Sequence, residues 1–247
     1  MSIDMANLEP AFSELISERD DAVLREGTAG VLGDRIILAY MVDATTQIER
    51  YRLDGTPDGT VALPCPGTTG AFRGRPGGDE AYFAFTSFDT PLTVLRLDVA
   101  ENRTAVWAEP RVAPDRDKLA VEQRFYASPD GTRIPLFVMR RKDVTGPVPT
   151  MLHGYGGFAI SILPYYIPAA MAWVEQGGVY AVANIRGGGE YGSAWHRAGR
   201  RAAGGGRGEP AARPVRGRPA VEDESRTLLA YSPLHNVRDG SGILPSW

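Results

Sequence analysis

The sequence predicts a mixed β and α/β fold, with short-strand units first and a strand–helix–strand layer after them. Three observations carry this. Residues 28–112 read as successive β-rich or alternating runs. One stretch repeats: Tyr51-Arg52-Leu53-Asp54 returns as Leu95-Arg96-Leu97-Asp98, 44 residues on, and the runs preceding them, from Arg35 and from Glu80, lie 45 residues apart. Beyond residue 113 strands alternate with a helix, the order that favours a parallel pair with helical cover.

Taken in order, residues 35–42 form a β-rich run, and 47–53 alternate before the turn pair Asp54-Gly55. Residues 80–88 and 92–99 follow the same order. A unit of this length built only of short strands suggests propeller blades; two unrelated meanders that match by chance are the alternative. Residues 112–115 read as a linker. A strand over 121–126, the turn Ser128-Pro129-Asp130-Gly131 and a strand over 134–140 come next. A short apolar run, 150–152, ends in His153-Gly154-Tyr155-Gly156-Gly157-Phe158. Pro168 near a first turn and Gly177-Gly178 as a stop bound a helix over 169–176. A strand over 179–185 then enters Arg186-Gly187-Gly188-Gly189-Glu190-Tyr191-Gly192. Residues 154–174 lack charge and match a bilayer in length, but Gly156, Gly157, Pro164 and Pro168 make a turn, a loop and a short helix the better reading.

The pattern breaks at residues 201–220, where 18 of 20 residues are Arg, Ala, Gly or Pro. One reading is a flexible basic linker. The other is a stretch read out of frame, or across a faulty join, in a GC-rich gene, in keeping with a basic complement that is arginine except for Lys118 and Lys142. Residues 222–229 look helical again.

Chain-wide figures set the class. With 43% hydrophobic and 23% charged residues the composition is that of a soluble globular protein. A net charge of -3 argues against a chain built mainly to hold nucleic acid. The basic segment 197–218 is an RGG-like candidate for RNA, against which a solvated loop is the favoured reading. Cys65 has no partner for an internal disulfide, which suits a reducing compartment. No signal-peptide pattern precedes Pro10, so the expected localisation is cytoplasmic, with no membrane association.

These residues resemble the prolyl oligopeptidase family of serine peptidases. Tyr155-Gly156-Gly157-Phe158 and the block over 177–192, continued by Trp195-His196 and Ala198-Gly199, are the specific matches. Residues 128–135 resemble the start of the family's hydrolase sheet, Phe85-Thr86-Ser87-Phe88 a late propeller blade, and residues 231–237 a segment shortly before the catalytic aspartate. The resemblance implies partial β-propeller blades followed by an incomplete α/β-hydrolase domain. It divides the chain into a propeller part over 1–112, the first part of the hydrolase domain over 113–200, an irregular segment over 201–221 and a hydrolase remnant over 222–247. It also implies short, proline-containing peptides as substrates and no cofactor.

The departures bear on activity. The family's nucleophile sits in a glycine-flanked elbow between the Trp195-His196 region and Tyr231, where this chain carries the Arg/Gly/Ala/Pro stretch. No serine here stands in a Gly-x-Ser-x-Gly context. The catalytic aspartate and histidine are expected beyond Val237 and are not found in the sequence. The chain is therefore expected to lack peptidase activity alone, with docking onto a full-length relative, or RNA binding, as alternatives. The resemblance leaves Tyr155 as an oxyanion-hole donor and Phe158 as a substrate-pocket aromatic; from the residues alone, a tight glycine turn with a buried Tyr and Phe accounts for the same pattern. His153 is expected to pack, and neither His196 nor His235 matches the family's catalytic base. No metal-ligand spacing is present. Gly187-x-Gly189-x-x-Gly192 formally fits a dinucleotide fingerprint, but no clear helix is expected after it.

Overall fold

The computed structural model describes residues 2–3, 12–75, 77–111 and 114–201. They fall into two compact units, one holding residues up to Arg116 together with Leu163–Pro168, the other Asp117–Ile162 and the chain from Ala169 on.

In the first unit, β1 (Ser2–Ile3) pairs antiparallel with β2 (Phe12–Ser13). Then β3 (Val23–Leu32), β4 (Arg35–Val42), β5 (Thr45–Arg52) and β6 (Pro57–Val61) form an antiparallel four-stranded meander. A second sheet contains β7 (Thr68–Thr69), β8 (Arg73–Gly74), β9 (Glu80–Thr86), β10 (Thr93–Asp98) and β11 (Arg103–Ala108), in the order β11-β10-β9-β7 with β8 also on β9. The repeated tetrapeptide therefore marks equivalent strand ends, on β5 and on β10. Turns set the register. Asp43 and Ala44, both with positive φ (47° and 61°), make the tight β4–β5 link, and Gly55 at φ 85° turns the chain from β5 to β6. Alternate residues face inward, as strand periodicity requires. Ile37, Ala39 and Ile48 of one sheet join Phe83, Phe85, Leu95 and Leu97 of the other in one core. Residues 163–168 belong to this unit, with the Tyr166 N–H donating to Thr86 Oγ1 at 3.1 Å.

The second unit opens, after a 3-10 turn at Arg116–Lys118, with β12 (Leu119–Ala127), β13 (Arg133–Arg141) and β14 (Thr150–Gly154). Helix α1 (Pro168–Glu175), β15 (Val179–Ala183) and α2 (Gly192–Arg201) follow. The sheet order is β12-β13-β15-β14, with β14 and β15 parallel and β13 antiparallel to β15. The expected parallel pair is thus β14 with β15, and α1 is the crossover between them. Helix α1 ends where the glycines stop it. The Gly178 N–H bonds Trp173 O at 3.2 Å and the Gly177 N–H bonds Val174 O at 2.9 Å, with Gly177 at φ 92°, which is a Schellman cap. The Trp173 indole lies over Gly178, where a Cβ would overlap it, and donates to Val179 O at 2.9 Å. One cap thus sets both the end of α1 and the start of β15. Every residue of β15 is buried.

Several expectations are corrected. Strands begin earlier than residue 28, since β3 starts at Val23. The helix not expected after Gly192 is present as α2. Its two glycines weaken its intrinsic propensity, but Trp195 is buried and Gly199 lies so close to Gly187 that a Cβ would approach its Cα to 2.5 Å, so tertiary contact supports it. His153 is exposed on β14 and packs into no core. No helix among the described residues is long and apolar enough to cross a membrane; residues 154–174 are a strand end, a loop and most of α1. The segment 201–221 after its first residue, the remnant 222–247 with residues 231–237 and His235, and all but the start of the basic segment 197–218 lie outside the described residues.

Candidate functional site

In an open α/β sheet the carboxyl ends of parallel strands are where chemistry is placed. Here β14 and β15 end side by side at Gly154 and Ala183, and each runs directly into a glycine-rich loop. The loop after β14 carries Tyr155 and Phe158; the loop after β15 carries residues 184–191 and leads to α2.

The two loops interlock through their glycines. A Cβ on Gly156 would overlap the Arg186 carbonyl and come within 2.6 Å of the Ile185 side chain. A Cβ on Gly187 would overlap the Gly156 carbonyl, and one on Gly189 would lie 2.5 Å from Ala159 O. Gly187 also needs its φ of 104°, which L side chains rarely adopt. The dinucleotide fingerprint therefore has its helix, but its first two glycines are filled by the neighbouring loop's backbone instead of facing a space for pyrophosphate.

Hydrogen bonds complete the junction. The Ala159 N–H donates to Gly187 O at 3.2 Å, and the Ile160 N–H closes a turn onto Gly157 O at 3.0 Å. His196 Nδ1 lies 2.7 Å from the same Gly187 carbonyl oxygen and 3.1 Å from the Ala159 nitrogen. His196 is thus a loop tie. Arg186 reaches the β12–β13 turn, pairing with Asp130 and donating to Ser128 Oγ at 3.2 Å. That pairing holds the Asp130 carboxyl down at about 2.

Phe158 and Ala159 both adopt left-handed backbone, at φ 56° and 54°. Such consecutive non-glycine residues are strained and persist only where neighbours hold them. The consequence is geometric: the Phe158 side chain stands 71% exposed, so the reading of a turn with a buried Phe does not hold for it. Tyr155 is half-buried, and its ring folds back over buried Gly157, the hydroxyl being 3.5 Å from where a Cβ on that glycine would lie.

Two functional-looking groups were not singled out in the sequence. Asn184 and Glu190, 0% and 1% exposed, sit at the heart of the second loop. Glu190 Oε1 accepts from the Ile162 N–H at 2.9 Å and from Asn184 Nδ2 at 3.2 Å, and Asn184 Nδ2 donates to Ile162 O at 2.5 Å. Burial pushes the Glu190 carboxyl above its ordinary range. The available signal was an acid inside a glycine-rich run between a buried strand and a helix. Among the described residues no group of His, Cys, Asp and Glu is arranged to hold a metal ion.

Comparisons with known proteins agree with the two units. Residues 1–110 match the family model described as "Prolyl oligopeptidase, N-terminal beta-propeller domain", and residues 165–208 match "Prolyl oligopeptidase family". The prolyl endopeptidase of Elizabethkingia miricola is 40% identical over 169 residues, 68% of this chain and 24% of that protein. A dual function macrocyclase-peptidase of Amanita bisporigera is 31% identical over 81% of this chain and 28% of its own length. A solved structure from a study of two prolyl endopeptidases superposes with a TM-score of 0.72 at 44% identity, covering 81% of this chain and 29% of that one. Prolyl oligopeptidase B of Galerina marginata, solved with a 35mer hydrolysis and macrocyclization substrate, gives 0.71 at 30% identity over the same shares. The chain spans about a quarter of the length of such relatives, 24% for the first of them.

Proposed function

Because the chain belongs to the prolyl oligopeptidase family, we propose that it carries one side of a serine-peptidase site without the attacking group. In this reading Tyr155 is the oxyanion donor, Phe158 lines the pocket for a proline-containing peptide, and the chain alone turns over no peptide. The division into propeller part (1–112), hydrolase part (113–200), irregular segment (201–221) and remnant (222–247) belongs to the same proposal.

The observation that carries it is internal to the sequence. Between Trp195 and Tyr231, where the resemblance places the serine elbow, 18 of the 20 residues 201–220 are Arg, Ala, Gly or Pro, and no serine in the chain has glycines two residues to each side. An oxyanion donor strengthens an attack that some other atom must make; removing one costs roughly 10²–10³ in rate, whereas without the nucleophile the covalent route is gone. The test is a chromogenic proline-containing peptide together with a serine-directed phosphonate, applied to the purified chain. Neither turnover nor labelling is expected; both together overturn the proposal.

A second reading has its own observation. All five residues of β14, an edge strand among the described residues, are exposed, including Met151 at 46% and Leu152 at 45%. Such an edge offers unpaired backbone groups and apolar side chains to another strand. Its occupant in this reading is a strand of a full-length relative. Co-purification with such a relative, abolished by a proline in place of Leu152, supports it; a chain that remains alone at micromolar concentration of both overturns it.

A further inference from the structure

The first four-stranded sheet buries its second face under a segment that belongs to no sheet. Alternation along β4 and β5 sends Ile37, Ala39 and Ile48 into the core shared with the second sheet. It sends Ile36, Leu38, Tyr40, Val42, Glu49 and Tyr51 to the opposite side. Residues 14–22 cross that side, where Ile16 and Ala22 pack on the buried cluster of Leu38, Tyr40 and Tyr51.

Two anchors fix the segment. At one, the Leu15 carbonyl oxygen lies so close to Gly55, in the β5–β6 turn, that a Cβ there would overlap it. At the other, the Arg19 guanidinium stands 5.1 Å over the Tyr40 ring and pairs with Glu49 of β5. It also donates to Asp21 from Nε at 2.9 Å and from Nη2 at 2.7 Å. Glu49 in turn accepts from the Tyr51 hydroxyl. One guanidinium therefore joins the segment's own turn to Tyr40 directly and to Tyr51 through Glu49. Sheet and cover are held by different means. A ladder of paired backbone joins β3 to β6. Among the described residues no backbone hydrogen bond ties residues 14–22 to that ladder; the hold is the Arg19 bonds, the apolar contacts of Ile16 and Ala22, and the close approach at Gly55. Such a hold breaks at lower cost than a ladder, so the cover has its own route of opening.

We propose that residues 14–22 are a strap that opens as a unit while the sheet beneath stays folded, with Arg19 as its latch, and that opening bares the apolar patch of Leu38, Tyr40 and Tyr51. The strap lies in the first unit and is independent of the roles given to Tyr155 and Phe158.

The test is nitration of the full chain by tetranitromethane, located at Tyr40 and Tyr51 by mass spectrometry, across urea concentrations below the unfolding transition. Amide hydrogen exchange of β4 in the same series reports opening of the sheet. Nitration of the two tyrosines is expected to depend far less on urea than β4 exchange does, because opening a strap exposes little surface. Arg19→Ala is expected to raise the nitration rate by up to about tenfold with its urea dependence unchanged, since charge-assisted bonds are lost from the closed form alone. Glu49→Gln strips no cover from either tyrosine but withdraws the charge that Arg19 pairs with, and is expected to raise the rate as well. A urea dependence as steep as that of β4 exchange, or a rate unaltered in Glu49→Gln, overturns the proposal. Should Arg19→Ala fail to fold, the wild type and Glu49→Gln decide it.

Discussion

Gly187 is placed so that a Cβ on it would overlap the carbonyl group of Gly156, its distance to the carbonyl carbon being only 2.8 Å. Backbone cannot give way as a flexible side-chain tip can, so the two loops at the ends of β14 and β15 fit only while both residues stay glycine. Gly187→Ala adds this overlap to the strain of φ 104°. A loss of about 3 kcal/mol or more in equilibrium unfolding is expected, or failure to fold. Gly146→Ala serves as the control: φ is 78° but nothing lies within 4 Å of its Cβ position, so strain alone, about 1 kcal/mol, is expected.

Acid acts on the Arg186–Asp130 pair. The folded carboxyl sits at about 2, below its ordinary value of 3.8, chiefly through the Arg186 hydrogen bond. Its stabilisation is therefore complete above about pH 4 and lost as pH falls through about 2. Asp130 is half exposed, so the contribution is small. Carboxyl NMR should show Asp130 titrating near 2 and returning toward its ordinary range in Arg186→Ala; an unshifted Asp130 in the wild type contradicts the pairing.

The cap of α1 predicts a modest cost for the indole alone. Trp173→Phe keeps most of the ring but leaves Val179 O without its donor. About 1 kcal/mol is expected by denaturant unfolding followed by circular dichroism.

Phe85, fully buried between the two sheets of the first unit, is expected to be far more costly to truncate. Phe85→Ala should lose about 3–5 kcal/mol. Near-native stability would mean that the core is not shared by the two sheets.

The exposed β14 edge predicts self-association. Leu152→Lys is expected to raise the soluble, monodisperse fraction measured by light scattering, because a charge on an edge strand blocks further pairing. If the wild-type chain is already monodisperse, the edge is not sticky.

Much of the fold was legible because its signals are local. Alternation over 35–53 and 80–98, the glycine stops at 55 and 177, and Pro168 at a helix start act within a few residues of themselves, and the elements lie where they indicate. Helix α2 was not legible, because it is supported by Trp195 packing on Tyr191 and by Gly199 closing onto Gly187, a fold-back of the helix onto the loop before it that residue spacing does not reveal. Tyr155 and Phe158 were named only through resemblance; local pattern cannot tell a buried aromatic turn from one that strain turns outward. Glu190 was passed over because its partners, Ile162 and Asn184, are brought to it only by the crossover from β14 to β15.

The amino acids by themselves determined the two β units with their repeat, the α/β layer after them, and the lack of a serine in a Gly-x-Ser-x-Gly context, since each of these is a matter of residue type and spacing. Only the tertiary structure decided that the glycines of two separate loops are filled by each other's backbone, that Phe158 faces outward, and that the Glu190 carboxyl is buried against Ile162 and Asn184. These depend on atoms far apart in the chain meeting at van der Waals and hydrogen-bond distance, which spacing along the sequence does not encode.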